Sequence, residues 1–314
     1  MSEFHQQKQV TTEQMASRRA EEKFIEKLTF SEQLNFLITN RIPRRWLTLF
    51  VGWFSQIKSP MLTKLSIGIW SVFAEDLRLE DAKKSKFTSL GECFTRELKP
   101  GLRPIDDSTD IVTSPCDAIL GAHGKIDGCT VFQAKGFPYA INELIPNFLL
   151  ANKYRNGFFV TLRLKSSMYH RFHAPINCKV KQVNYISGDT WNVNPIALKK
   201  VEKLFCKNER AVVELVTQHP NHSITLVPVA AVLVASMKFN FINQILDLKY
   251  KGPNYIDCNA SFKKGDEMGY FQHGSTIIVF ASSNYQLAEG LKEGMAIKMG
   301  ESLLSGHTND EQDF

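Results

Sequence analysis

Beyond about residue 80 the chain runs in short apolar stretches separated by Gly, Pro and Asn. Gly157-Phe-Phe-Val-Thr-Leu-Arg-Leu164, Ala211-Val-Val-Glu-Leu-Val216, Ile224 to Met237 and Ser275-Thr-Ile-Ile-Val-Phe280 are rich in β-branched and aromatic residues, which predicts strands. Only Ala140 to Leu150 and Pro195 to Phe205 predict helices in this part of the chain. The expected fold is therefore α+β, with a β-rich domain over residues 81–301 and a polar tail over 302–314. No internal repeat is visible. Residues 1–30 are polar, rich in Gln, Glu and Ser, and read as a mobile or helical extension.

A different pattern fills residues 31–80. From Arg41 to Ala74 the sequence predicts two short amphipathic helices broken at Ser59-Pro60. Its longest apolar stretch, Trp46 to Ile57, is interrupted by Thr, Gly, Ser and Gln and stops at Lys58, too short and polar to span a bilayer. Charge sharpens this picture. Those 34 residues hold five basic residues, no acidic ones and three of the four tryptophans, Trp46, Trp53 and Trp70. The segment fits a helical hairpin packed on the protein's own core and, equally, an anchor whose Trp, Phe and Leu enter the headgroup boundary of an anionic membrane. The missing acids favour the membrane. The whole chain carries a net charge of +6, too modest to point to nucleic acid. Six cysteines without a CxxC pair suggest reduced thiols, and the polar N-terminus is unlike a secretory signal. The expected location is the cytoplasmic face of a membrane, held peripherally.

Three places offer chemistry. Thr113-Ser-Pro-Cys-Asp-Ala118 puts Asp117 in a turn before a strand. Tyr169-His-Arg-Phe-His-Ala-Pro175 crowds His170 and His173 together. Lys264 to Thr276 is a glycine-punctuated hairpin leading into a buried strand. Singly, each has a structural explanation: an Asx-turn, satisfied histidines, a simple turn. The His170-x-x-His173 pair lacks an acidic or thiolate partner at ligand spacing, so no metal site is expected. Together, an Asp, a His and a Ser are the parts of a base-activated nucleophile. No GxSxG elbow is present, which disfavours an α/β-hydrolase.

From about Trp46 to Gly300 the chain resembles the bacterial-type phosphatidylserine decarboxylase proenzymes. The resemblance rests on Phe94-Thr-Arg-Glu-Leu98 with Arg103-Pro-Ile105, Ser114-Pro-Cys-Asp117, Ala134-Lys-Gly136 with Tyr139, and Tyr154-Arg-Asn-Gly157. It continues through Tyr169-His-Arg-Phe-His173, Val193-Asn194, Leu204-Phe205 with Asn208-Glu-Arg210, Lys264-Gly-Asp-Glu-Met-Gly269 and Gly274-Ser-Thr276.

The resemblance implies a self-processing enzyme. Ser275 Oγ would attack the Gly274 carbonyl, with His173 as base oriented by Asp117. Cleavage would leave a β chain of residues 1–274 and an α chain of 275–314 that begins with a pyruvoyl group made from Ser275. That covalent cofactor would condense with the amine of phosphatidylserine, act as the electron sink for loss of CO2 and release phosphatidylethanolamine. His170 is the family's candidate for assisting decarboxylation or protonation. The resemblance also implies a homo-oligomer, a homodimer by family habit. Lys135, Arg155, Asn194 and Arg210 lie in matching blocks, where contact with substrate phosphate or carboxylate and a purely structural role both fit.

Three positions depart from the family pattern: His273 replaces a small apolar residue before Gly274-Ser275, Ala118 replaces a glycine after the aspartate, and alanines replace glycines around Ala230 to Ser236. These departures keep two other readings open, a non-processing phospholipid-binding homologue and a serine hydrolase using Asp117, His173 and an intact Ser275.

Overall fold

The computed structural model describes residues 43–74, 76–132, 138–217, 222–232, 236–272 and 275–306. Two antiparallel sheets carry the fold. The larger has eight strands in the spatial order Tyr255–Phe262, Cys178–Ile186, Arg210–Leu215, Ile224–Ala230, Ser275–Ala281, Phe158–Leu164, Ala118–Lys125 and Ala296–Ile297. The smaller has four, in the order Ile245–Asp247, Ser236–Phe239, Glu267–Phe271 and Arg171–His173. Leu162, Val213, Leu226, Ile277 and Val279 of the large sheet share one core with Phe172, Met237, Phe239 and Phe271 of the small one.

The central strands are mostly apolar and are buried at every position because both faces are covered. All seven residues of Ser275–Ala281 and of Ile224–Ala230 are buried. On the face away from the core, the Tyr154 hydroxyl bonds Thr225 and Ser223, and Arg210 donates to the carbonyls of Glu143 and Leu144. These contacts seat the short helices Ile141–Leu144 and Phe148–Lys153 on the sheet.

The expected break at Ser59-Pro60 is present. Helix α1 (Arg44–Ser55) ends before it, and helix α2 (Pro60–Phe73) begins with Ser59 Oγ accepting from Leu62 N and Pro60 in the first turn. One side of the pair packs on the domain. Arg44 pairs with Asp189 at 2.6 Å and stacks on Trp191 at 3.7 Å, while Trp70 stacks on Phe94 with ring centroids 5.6 Å apart. The other side is bare. Of the twelve exposed large apolar side chains among the described residues, seven are Trp46, Phe50, Trp53, Met61, Leu65, Ile69 and Val72 of these two helices. Among the described residues no helix is long and apolar enough to cross a membrane. Residues 1–30, and the expected helical segment up to residue 42, lie outside the described residues.

Four expectations need correction. The helix expected over Ala140 to Leu150 breaks at Ile145, whose extended backbone (φ −110°, ψ 95°) is the one favoured before Pro146. Pro195 to Phe205 splits likewise into Pro195–Lys200 and Leu204–Lys207, with Lys203 between them at φ 53°. The run Ile224 to Met237 is two strands in different sheets, because the chain crosses the core between Ala230 and Ser236. Finally, Ser302–Gly306 is not the start of a polar tail. It pairs with Ile111–Thr113 and Tyr285–Leu287 in a three-stranded sheet and buries Leu303 and Leu304.

Candidate active site at the sheet crossing

The chain passes from the small sheet to the large one after Phe271 and enters the central strand at Ser275. Beside it, the segment from Leu164 to Arg171 makes the reverse crossing. The two crossings are fastened together. Phe271 N donates to the His170 carbonyl at 3.0 Å, and Ser275 pairs with Leu164 on one side and Ala230 on the other. Gly274 and His273 lie between these anchors, outside the described residues.

Ser275 is fully buried, and its Oγ has no hydrogen-bond partner among the described residues. Its side chain lies on the inner face of the sheet, in line with Ile277 and Val279 of the core.

His170 sits at this same end. It is fully buried, its ring packs on Phe94 at 4.1 Å, and its Nδ1 lies 2.8 Å from the Met168 carbonyl. A carbonyl can only accept, so Nδ1 carries a proton.

His173 is further from the crossing, opposite Glu267 in the small sheet. Its Nδ1 donates to the Gly265 carbonyl at 2.8 Å, and its Nε2 accepts from the Tyr169 hydroxyl at 3.0 Å. Burial, the largest influence, pushes its pKa below the ordinary histidine value and so favours a neutral ring. Gly265 can aim its carbonyl there because it adopts φ 88°, where a side chain would be strained and would also press on Ile105.

Asp117 does not bond to His173. Both of its oxygens go elsewhere: Arg103 grips them through Nε at 2.8 Å and Nη2 at 2.5 Å, and Met299 N adds a bond at 2.9 Å. The orienting contact expected from Asp117 is made by the Gly265 carbonyl instead, because the bidentate guanidinium is the stronger partner for a carboxylate. Asp117 remains close enough to act on His173 by its charge. Arg103, Tyr169 and Gly265 were all visible in the sequence blocks, yet nothing in their spacing signalled these contacts.

The sheet register also relates Asp117 to Ser275. Ile119 and Thr276 both pair with Arg163, so Ala118, Leu164 and Ser275 form one cross-strand row. Ala118, where a glycine was expected, and Ala230, in the stretch where glycines were expected, are both strand residues without positive φ, so neither alanine is strained.

A cleft of about 380 Å³ runs beneath α1 towards this crossing, lined by Thr48, Gly52, Trp53, Gln56, Asp247 and Gln272. Gln272 also accepts from Ser236 Oγ at 2.8 Å, three residues before Ser275.

The profile of the phosphatidylserine decarboxylase family matches residues 90–305. The chain belongs to this family. It is 34% identical to the phosphatidylserine decarboxylase proenzyme of Vibrio parahaemolyticus over 275 residues, 82% of this chain and 94% of that one. It is 32% identical to the Escherichia coli proenzyme over 276 residues, 83% of this chain and 84% of that one. The Dickeya dadantii proenzyme is 29% identical over 290 residues, 89% of this chain and 94% of that one. Two residues of the family blocks are structural here. Arg210 spends its guanidinium on backbone carbonyls, and Asn194 caps the helix Pro195–Lys200 by accepting from Ala197 N. Lys135 lies outside the described residues, and Arg155 is exposed.

Proposed function

We propose that this chain cuts its own backbone between Gly274 and Ser275 and then converts phosphatidylserine to phosphatidylethanolamine. The observation that carries this reading is the Ser275 hydroxyl, buried and without a hydrogen-bond partner among the described residues at the start of a central strand. Most buried hydroxyls in folded proteins are hydrogen-bonded. One that adds to the carbonyl before it needs that oxygen uncommitted. The relatives' description as proenzymes agrees with such processing.

The site also suits what Ser275 would become. A pyruvoyl group needs neither the hydroxyl nor the peptide N–H, and no described neighbour holds that hydroxyl. Once formed, it supplies the electron sink for loss of CO2. His173 is the base for cleavage, kept neutral by burial, and the Tyr169 hydroxyl on its Nε2 is the first link of its proton path. Asp117 contributes charge from within its pair with Arg103. His170, beside the crossing, returns the proton after CO2 leaves.

The bare side of α1 and α2 is the membrane face. Its tryptophans and aliphatic side chains lie beside exposed Arg45, Lys58 and Lys64, which suits a leaflet carrying anionic lipid. The cleft beneath α1 is then the route for the headgroup from that leaflet to Ser275.

A denaturing gel with an assay of lipid product tests the reading. The wild-type chain should run as two fragments, residues 1–274 and 275–314. Ser275→Ala should run as one chain and form no phosphatidylethanolamine. A wild-type chain that stays whole would overturn self-processing: binding lipid unchanged, it would be a non-processing homologue; releasing fatty acid, a hydrolase.

A further inference from the structure

Glu209 is a fully buried carboxylate that the chemistry above does not use. Its Oε1 accepts from the Tyr185 hydroxyl at 2.8 Å and from Ser187 Oγ at 3.3 Å. Its Oε2 is buried without a partner among the described residues. A buried carboxylate oxygen left bare is costly whether or not the group is protonated, so it marks a place where something else supplies a donor.

The sheet register shows where that place is. Ala230 N donates to the Glu209 carbonyl at 2.8 Å, and Arg210 pairs with Val229, so Glu209 stands opposite Ala230. Ala230 in turn stands opposite Ser275. Directly opposed residues of an antiparallel sheet point to the same face, so Glu209, Ala230 and Ser275 form one row on the inner face. Two strand spacings separate Glu209 from Ser275, about 10 Å between backbones. Ala230 is the residue between them in that row.

We propose that Glu209 receives the substrate's amine on its way along the cleft to residue 275, its Oε2 accepting an ammonium N–H. This rests on the decarboxylase reading, because that reading supplies a primary amine which must be held there and must give up one proton before its lone pair can react. Glu209 takes that proton on Oε2. The charged and titratable groups around it fit the role. Tyr185 donates from the neighbouring strand and also reaches the Asp247 carbonyl on the cleft wall, while Asp247 opposes and Arg45 of α1 favours the charge of Glu209. Burial, the largest influence, raises the carboxyl to about 7, so it can both accept and release a proton near neutrality.

The test is Glu209→Gln, which keeps an acceptor for Tyr185 but cannot ionise. The variant should still cleave into two fragments. Its kcat should fall about a hundredfold, the low end of what a positioned acid–base group contributes. The wild-type rise in kcat/KM as pH passes through about 7 should disappear. Calorimetry with glycerophosphoethanolamine gives a readout apart from turnover. Wild-type affinity should strengthen as pH rises through about 7, whereas the variant should bind about tenfold more weakly at every pH. Tyr185→Phe is the second variant. Loss of a donor that favours the charged form should move the wild-type pH limb upwards. If the wild type cleaves and decarboxylates while Glu209→Gln matches it in kcat, pH profile and amine affinity, this inference is wrong and the function stands. If the wild type does neither, the function itself is wrong.

Discussion

Two carboxylates flank Ser275, one on each side of its strand, and the fold houses them in opposite ways. Asp117 is locked into a bidentate pair with Arg103, and Met299 N adds a further donor. Glu209 is buried at least as deeply but, among the described residues, has only hydroxyl donors, both on one oxygen. A carboxylate gripped by a guanidinium and a backbone N–H has no oxygen to offer. A carboxylate buried without a cation can change its charge and has an oxygen to spare. The Asp117 side therefore suits a single event, the making of the site, and the Glu209 side suits an event repeated in every turnover. The surroundings agree: the Asp117 side closes against Arg103 and the Ile105 packing, while the Glu209 side reaches the cleft under α1 through Tyr185 and Asp247.

Arg103→Leu should cause the largest damage. Removing one partner of a buried ion pair leaves an uncompensated charge and typically costs about 3–5 kcal/mol. Thermal melting should fall sharply, and the chain should accumulate uncut, whereas Glu209→Gln should spare cutting. Equal cutting defects in the two variants would erase the proposed division of labour.

Gly52→Leu should act on the turnover side alone. A Cβ at Gly52 meets nothing within 4 Å, so a larger side chain can enter the cleft without moving the backbone. Cutting should proceed normally while kcat/KM for lipid falls about tenfold, a barrier increase near 1.4 kcal/mol. Gly68→Leu, on α2 and equally unobstructed, is the control. A kcat/KM unaltered by Gly52→Leu would remove the cleft from the substrate's path.

Lys64→Ala should give the smallest effect. One basic residue near an anionic leaflet contributes about 1 kcal/mol, so vesicle affinity in a flotation assay should weaken roughly fivefold, with cutting unchanged. Equal binding to neutral and anionic vesicles would remove electrostatics from the membrane face.

Much of this organisation was legible in the sequence. Ser59-Pro60 marked the helix break because its cap and proline act locally, and the apolar runs marked the central strands because both their faces are buried. The blocks holding Asp117, His170, His173 and Ser275 were also visible. What the sequence could not reveal depends on pairing across long separations. Whether Asp117 meets His173 or Arg103 is decided by side-chain competition in the folded state. Glu209 stood unremarked inside Asn208-Glu-Arg210, because only the register through Ala230 brings it into line with Ser275. The run Ile224 to Met237 shows the same limit, since an apolar stretch carries no mark of where it changes sheets.

The strand Ser275–Ala281 is paired along its whole length with a neighbour on each side. A cut immediately before it turns one molecule into a complex of two polypeptides, yet the shorter piece is held by every rung of a central ladder. Release of that piece requires the large sheet to open, so its exchange with free fragment is limited by the rate of global unfolding rather than by an ordinary off-rate. Under the proposed processing, each mature molecule would keep for life the one reactive terminus it made for itself, and a copy that failed to make one could not borrow another's.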